Sequence, residues 1–229
     1  LKYRYMPPAA TCIHSARAVP LFCITRHTLE LSISRPPTRF APLRLPQPQS
    51  LMSSTSTAGP APWRALFDTH LSSQIPKAEF AFSTATLSPD NLPIPHVRIC
   101  GFRGFFPEPN LLPSAVEALQ QSGVGLNPDV YESDMISFTT DARMEKVRDM
   151  EVAGGAVEGL FWIKESASQW RIQGRAIVIG DVEGKEKEDR ARKEILEGMR
   201  MKPSAQQTQV QDWTWERILT TYFANHSPV

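Results

Sequence analysis

Apolar residues recur at helical spacing in residues 62–71 (PWRALFDTHL), where Trp63, Leu66, Phe67 and Leu71 share one side and Pro62 stands at the start. The period then changes. Residues 79–87 (EFAFSTATL) alternate, 88–91 (SPDN) carry turn chemistry, and 94–102 (IPHVRICGF) alternate again, which predicts a hairpin. Residues 107–131 read as an insertion with one short helix, Ser114 and Glu117 at capping-box spacing and Gly123 as its stop. A third strand is expected over 133–140 (SDMISFTT). A helix follows it, with Asp141 as N-cap and Val147 and Met150 facing inward. Strands four and five are 158–164 (EGLFWIK) and 169–180 (QWRIQGRAIVIG). Residues 183–200 form a charged helix with Glu186–Arg190 and Glu188–Arg192 at i,i+4, a mostly solvated face. A Gln-rich loop (203–211) leads to an amphipathic last helix, DWTWERILTTYF. Five short strands with peripheral helices predict a mainly β, α+β class: a small barrel with helical additions.

Residues 1–51 show no sustained period and stand apart in composition. They hold eight of the 20 prolines, two of the three cysteines, seven of the 25 Lys/Arg and one acid, Glu30. Three divisions follow: 1–51 as a disordered, non-native or targeting-like extension, 52–182 as the barrel domain, and 183–229 as a helical C-terminal segment. The stretch MSSTSTAGPAPW from Met52 reads as an ordinary N-terminus, while the Arg-rich, acid-poor front also fits a mitochondrial transit segment. The expected compartment is the cytoplasm, or the mitochondrion if that front is a transit segment. Cys100, alone in the body, points to a reducing compartment with no disulfide framework. No run approaches ~18 apolar residues, so no transmembrane helix is predicted.

The formal charge of +1 hides an imbalance. Outside the front segment, 18 bases face 23 acids, which argues against a broad nucleic-acid footprint but leaves room for a local anion site. Phosphate loops, GxGxxG, CxxC and HExxH are absent, and no metal site is predicted. His70, His96 and His226 stand isolated and read as surface or structural residues; Cys100, mid-strand between apolar neighbours, reads as an inert thiol. What remains is a set of cations and hydroxyls on strands. Arg98 lies within the second strand and Arg103 five residues on, an odd offset that points them to opposite faces unless Gly101 marks a bulge. Thr139 and Thr140 end the third strand, Arg143 and Lys146 follow, and Gln169 and Arg171 share a face of the fifth. Hydroxyls, cations and a helix start suit a phosphate monoester; the same charges would also serve as ordinary pairs for the body's many acids.

At these residues the chain resembles the pyridoxamine 5'-phosphate oxidase-like, FMN-binding split β-barrel proteins, and within them the Alr4036-type branch common in fungi and bacteria, so a fungal source is expected. FSTATLSPDNLPIPHVRIC resembles the family's opening hairpin, FTTDARMEK its strand end followed by Ser-Arg-Lys, and SQWRIQG its Gln-x-Arg-x-x-Gly strand. The likeness spans roughly 62 to 180. Two departures stand out: Met144 and Glu145 replace the family's Ser and Arg, and the chain ends at YFANHSPV, expected to be short of a final strand and tail.

The resemblance implies FMN as cofactor and an FMN-dependent oxidoreductase as function. Arg98 and Lys146 would meet the phosphate, with Arg143 replacing the lost base, and Thr139 and Thr140 would add hydrogen bonds. The backbone of Ile99, Cys100 and Gly101 would run beside the flavin, and Gln169 would meet its polar edge. Arg103 and Arg171 are substrate candidates. A homodimer with a small-molecule substrate is implied, without nucleic acid or membrane. Two alternatives stay open: a flavin binder without catalysis, and a split barrel holding another cofactor such as haem or a deazaflavin.

Overall fold

Leu21–Ser32 forms strand β1, twelve residues whose backbone runs antiparallel to two other strands of the main sheet. The computed structural model describes residues 59–180 and 185–225 in full, and of 21–32 the backbone alone. After β1 come helix α1 (Arg64–Leu71) and the hairpin β2 (Glu79–Leu87) and β3 (Pro93–Gly101). Short strands β4 (Gly104–Phe105) and β5 (Glu108–Pro109) precede α2 (Pro113–Gln121), β6 (Tyr131–Glu132) and β7 (Ile136–Thr139). Helix α3 (Glu145–Val152) leads to β8 (Ala156–Ile163) and the long β9 (Ser168–Ile179). The chain continues with α4 (Lys185–Gly198), β10 (Arg200–Met201), α5 (Gln207–Gln211) and α6 (Trp215–Ala224).

Eight strands form one sheet in the order β3-β2-β8-β9-β1-β7-β4-β5, and β10 pairs with β6 in a second. The expected mainly β class with peripheral helices is found, although the sheet is open, ending at β3 and β5. The 79–87/93–101 hairpin holds continuous register from Leu87↔Pro93 to Glu79↔Gly101. Strand β1 falls inside the segment that composition set apart from the fold. Its run LFCITRHTLELS is rich in β-branched and aromatic residues, but without clean alternation it carried no periodic signal.

Local chemistry moved several boundaries. The third strand, expected over 133–140, is shortened to β7 (136–139), because the Ser133 hydroxyl hydrogen-bonds Phe106 O ahead of it; β6 just before it pairs in the second sheet. Helix α3 begins one turn later than expected, at N-cap Met144, because Asp141 Oδ1 accepts the Arg143 backbone N–H (2.8 Å) and closes a turn first. Helix α2 starts on Pro113 with Leu112 as N-cap and no side-chain cap, so Ser114 caps nothing. The last helix starts at Trp215, where Thr214 accepts from Arg217 N (3.2 Å). The Gln-rich loop contains the short α5, which carries its own capping box through Gln206 and Gln209.

The core is aromatic. Phe67 of α1 is fully buried and meets Phe161 (5.1 Å), Trp170 (5.4 Å) and Phe105 (5.7 Å) edge to face. Each such pair adds roughly 0.5–1.5 kcal/mol beyond area burial. Phe80 stacks on Phe161 at 4.8 Å, and Phe82 packs on Phe138 at the same separation. A second cluster under α4 and α6 gathers Phe106, Ile177, Ile179, Ile195, Ile218 and Tyr222. Ser137 joins the two regions, donating to Gly104 O (2.8 Å) and sharing a hydrogen bond with Tyr222 Oη (2.7 Å). This packing fixes β2, β3 and β7, the strands from which the site is built.

Candidate functional site

Alternation along β3 turns His96, Arg98 and Cys100 inward and leaves Val97 and Ile99 71% and 65% exposed. Arg98 stands opposite Phe82 and Cys100 opposite Phe80, so a guanidinium enters the sheet's inner face beside the aromatic core. Such a charge is costly without partners. Thr84 and Asp149 meet it: Arg98 Nη1 donates to Thr84 Oγ1 (2.5 Å) and Nη2 to Asp149 Oδ2 (3.2 Å). The same carboxylate oxygen accepts from Thr84 Oγ1 (2.6 Å) and is 3.0 Å from His96 Nδ1. Burial pushes the Asp149 carboxyl up, but the hydrogen bonds from Thr84, His96 and Arg98, with the His96 charge, outweigh it and hold it below the usual carboxylate range.

Lys146, in the first turn of α3, completes the cluster. Its Nζ donates to the buried Thr140 Oγ1 at 2.7 Å. Burial lowers the lysine's affinity for its proton and the Arg98 charge lowers it further, while Cys100 and Asp141 act in the opposite sense. The Cys100 thiol is pushed up by burial against the pull of both Lys146 and Arg98, so these three groups lie within electrostatic reach of one another. Arg98, Cys100, Thr140 and Lys146 are therefore brought together from three separate elements. A neutral hydroxyl is the acceptor facing Lys146. One residue earlier, at the end of β7, Thr139 Oγ1 is buried without a hydrogen-bond partner. Half-buried cations, one of them facing only a neutral hydroxyl, suit an anionic ligand such as a phosphate ester.

The other predicted residues lie elsewhere or are already engaged. Arg143 is 75% exposed and paired with Asp141 (Nη2–Oδ2 2.5 Å). Arg171 is bound by Glu158 (Nε–Oε1 2.6 Å), whose own acidity is raised first by that bond. Gln169, half-buried, lies on β9 across from Trp162. Ile99 and Gly101 face outward on β3. Arg103 folds back near Gly101, its buried Nε lacks a partner, and burial lowers its proton affinity. The hairpin register is unbroken through Gly101, so no bulge within β3 re-aims Arg98, and Arg103 lies beyond the end of that strand.

Three members were missed from sequence: Thr84, Asp149 and the partnering role of His96. The spacing of His96, Arg98 and Cys100 at i, i+2, i+4 was legible as one face, but Asp149 is 51 residues from Arg98. His70 accepts from Trp170 Nε1 (3.1 Å), a structural role, and His226 lies outside the described residues. His96, Glu145 and Asp149 place ligand atoms within 4.8 Å of one another. Of these three, His96 and Asp149 belong to the hydrogen-bonded network of Thr84 and Arg98, and Glu145 makes no bond to it. A cavity of about 450 Å³ opens beside it, lined by Ser83, Thr84, Pro95, Glu158 and Gln173 among others.

The family model described as pyridoxamine 5'-phosphate oxidase, FMN-binding domain, matches residues 60–180. A crystal structure of a pyridoxamine 5'-phosphate oxidase-related, FMN binding protein from Nostoc punctiforme PCC 73102 is similar at 20% identity and a TM-score of 0.37. The match covers 60% of this chain and spans 58% of that one. No curated protein matches the chain. Among the described residues, no helix is long and apolar enough to cross a membrane.

Proposed function

The chain belongs to the pyridoxamine 5'-phosphate oxidase family through its FMN-binding domain, and from that premise we propose an FMN-dependent oxidoreductase of the Alr4036-type branch. The observation that carries the phosphate placement is Lys146. It is a half-buried ammonium facing a neutral hydroxyl, with another cation nearby, and a phosphate would supply the missing counter-charge. Arg98 and Lys146 hold the phosphate, and Thr139 and Thr140 add hydroxyl contacts. Arg143, tied to Asp141 at the surface, is no part of this set.

Bound FMN supplies the electron-accepting ring, and the chain's own part is to bind and orient it. Burial around Cys100 and Phe80 keeps water from the inner side of the cluster. Support for a homodimer comes from β3, an edge strand whose Val97 and Ile99 are exposed apolar residues that a second copy would cover. A second reading, flavin binding without catalysis, draws on Arg171. Glu158 takes this substrate candidate through both Nε and Nη2, occupying the bidentate edge that would otherwise meet an anion.

The test is one visible spectrum and one reduction. The purified protein is expected to carry or take up FMN, absorbing near ~450 nm, and Arg98→Glu to lose it. A parent protein that takes up no FMN refutes the reading. Reduction of bound FMN by NAD(P)H or pyridoxamine 5'-phosphate in a stopped-flow instrument separates the oxidoreductase from the non-catalytic binder.

A further inference from the structure

Asp149 is 2% exposed, and a single oxygen of it serves Thr84, His96 and Arg98. Thr84 is 3% exposed and acts twice: its hydroxyl oxygen accepts from Arg98 Nη1 and its O–H donates to Asp149 Oδ2. The guanidinium is thus gripped at both terminal nitrogens, directly by the acid and through the hydroxyl. Two anchors fix the rotation of a planar group that a single contact would leave free. The grip uses one N–H from each terminal nitrogen, so the remaining donors of the fork are unspent and its plane is set. Asp149 itself cannot swing away, because α3 holds it and three donors from β2 and β3 converge on it.

We infer that Asp149 and Thr84 are positioning residues that aim the Arg98 guanidinium at the cofactor's phosphate. The inference rests on the phosphate placement proposed above and goes beyond it, because it makes a buried acid favourable to binding an anion. Taken as a bare charge, Asp149 would repel a phosphate held by Arg98, and its neutralisation would tighten binding. Taken as an anchor, its neutralisation frees Arg98 to reorient, and binding weakens. The two roles predict opposite signs.

FMN and riboflavin, which lacks the phosphate, are titrated into full-length apoprotein and followed by flavin fluorescence quenching. Asp149→Asn and Thr84→Val are each expected to weaken FMN about tenfold, near 1.4 kcal/mol, and to leave riboflavin unchanged. Thr84→Ser, which keeps the hydroxyl, restores parental FMN affinity. A general loosening of the fold would weaken both flavins together, and that result overturns the inference. So does FMN binding that is unchanged or tighter in the variants. Should Asp149→Asn not fold, Thr84→Val against Thr84→Ser decides alone, since Val preserves the shape and removes only the hydroxyl. Arg98→Gln separates the two levels of reasoning. If it weakens FMN while Thr84→Val does not, positioning fails and the phosphate placement stands; if Arg98→Gln leaves FMN binding intact, both fall.

Discussion

The same carboxylate gives a stability prediction that needs no cofactor. Asp149→Asn keeps the size of the side chain and one carbonyl acceptor but removes the charge on which Thr84, His96 and Arg98 converge. Removing one partner of a fully buried pair costs about 3–5 kcal/mol. Here the Arg98 and His96 side chains are 22% and 27% exposed, so water recovers part of their solvation once the charge is gone. The retained amide oxygen recovers a little more. The expected loss at pH 7 is therefore about 2 kcal/mol, or roughly 4–8 °C in Tm for a chain of this size.

The pH dependence carries the sharper test. Because the folded carboxyl is held below its usual range, the stability it contributes is present above the unfolded value near ~3.9 and is lost as pH falls through the folded one. Thermal melts of parent and variant, run side by side from pH 7 downward, should show a gap that closes as the pH falls below about 4. Other acids titrate in both proteins and cancel in the difference. A gap that stays open at every pH where both proteins fold would mean that packing, not charge, makes Asp149 important. A gap under about 0.5 kcal/mol at pH 7 would place it with ordinary surface substitutions and end the argument for the network.

Lys146→Met is expected to weaken FMN by roughly 10- to 100-fold, the worth of one charge-assisted hydrogen bond of about 1.5–3 kcal/mol, with riboflavin spared; equal loss of both flavins in the quenching titration would contradict it. Gly104→Ala is expected to destabilise by about 3 kcal/mol or more, since φ is +108° and a Cβ would stand 2.5 Å from Glu108 O; a parental melting curve would refute the steric reading. Phe67→Ala should cost about 4 kcal/mol, because its ring touches those of Phe161, Trp170 and Phe105 at the centre of the core; urea unfolding at pH 7 measures it.

The hairpin, α1, β8 and β9 were legible because each carries its period within one short window, and SPDN supplies turn chemistry between the hairpin's strands. Strand β1 was not, since a run with both sides apolar in places looks the same whether it pairs in a sheet or crosses open solvent. The start of α3 was misread for a local reason: Asp141 has the chemistry of an N-cap, yet it spends that acceptor on Arg143, two residues on. Arg143 illustrates the same competition. Its charge suited a phosphate on paper, but an acid two residues away claims it within a single turn.

That contrast explains which cations can serve a site in this chain. Arg143 and Asp141 are two residues apart and can pair as soon as the turn forms, so their bond is local and exposed. Arg98 reaches Asp149 only when α3 has docked on the β2–β3 hairpin, which makes that pair a product of the whole fold. Lys146 is a stronger case. It sits beside Glu145, yet the bond it makes is to Thr140, and its charge is left beside that of Arg98. Folding concentrates like charge there and answers it only partly, a cost of the kind proteins carry at sites that bind something. Identity of residue type at a motif position could place a cation; only the competition among neighbouring acids decides whether that cation stays available, and neighbours of this kind are set by tertiary contact.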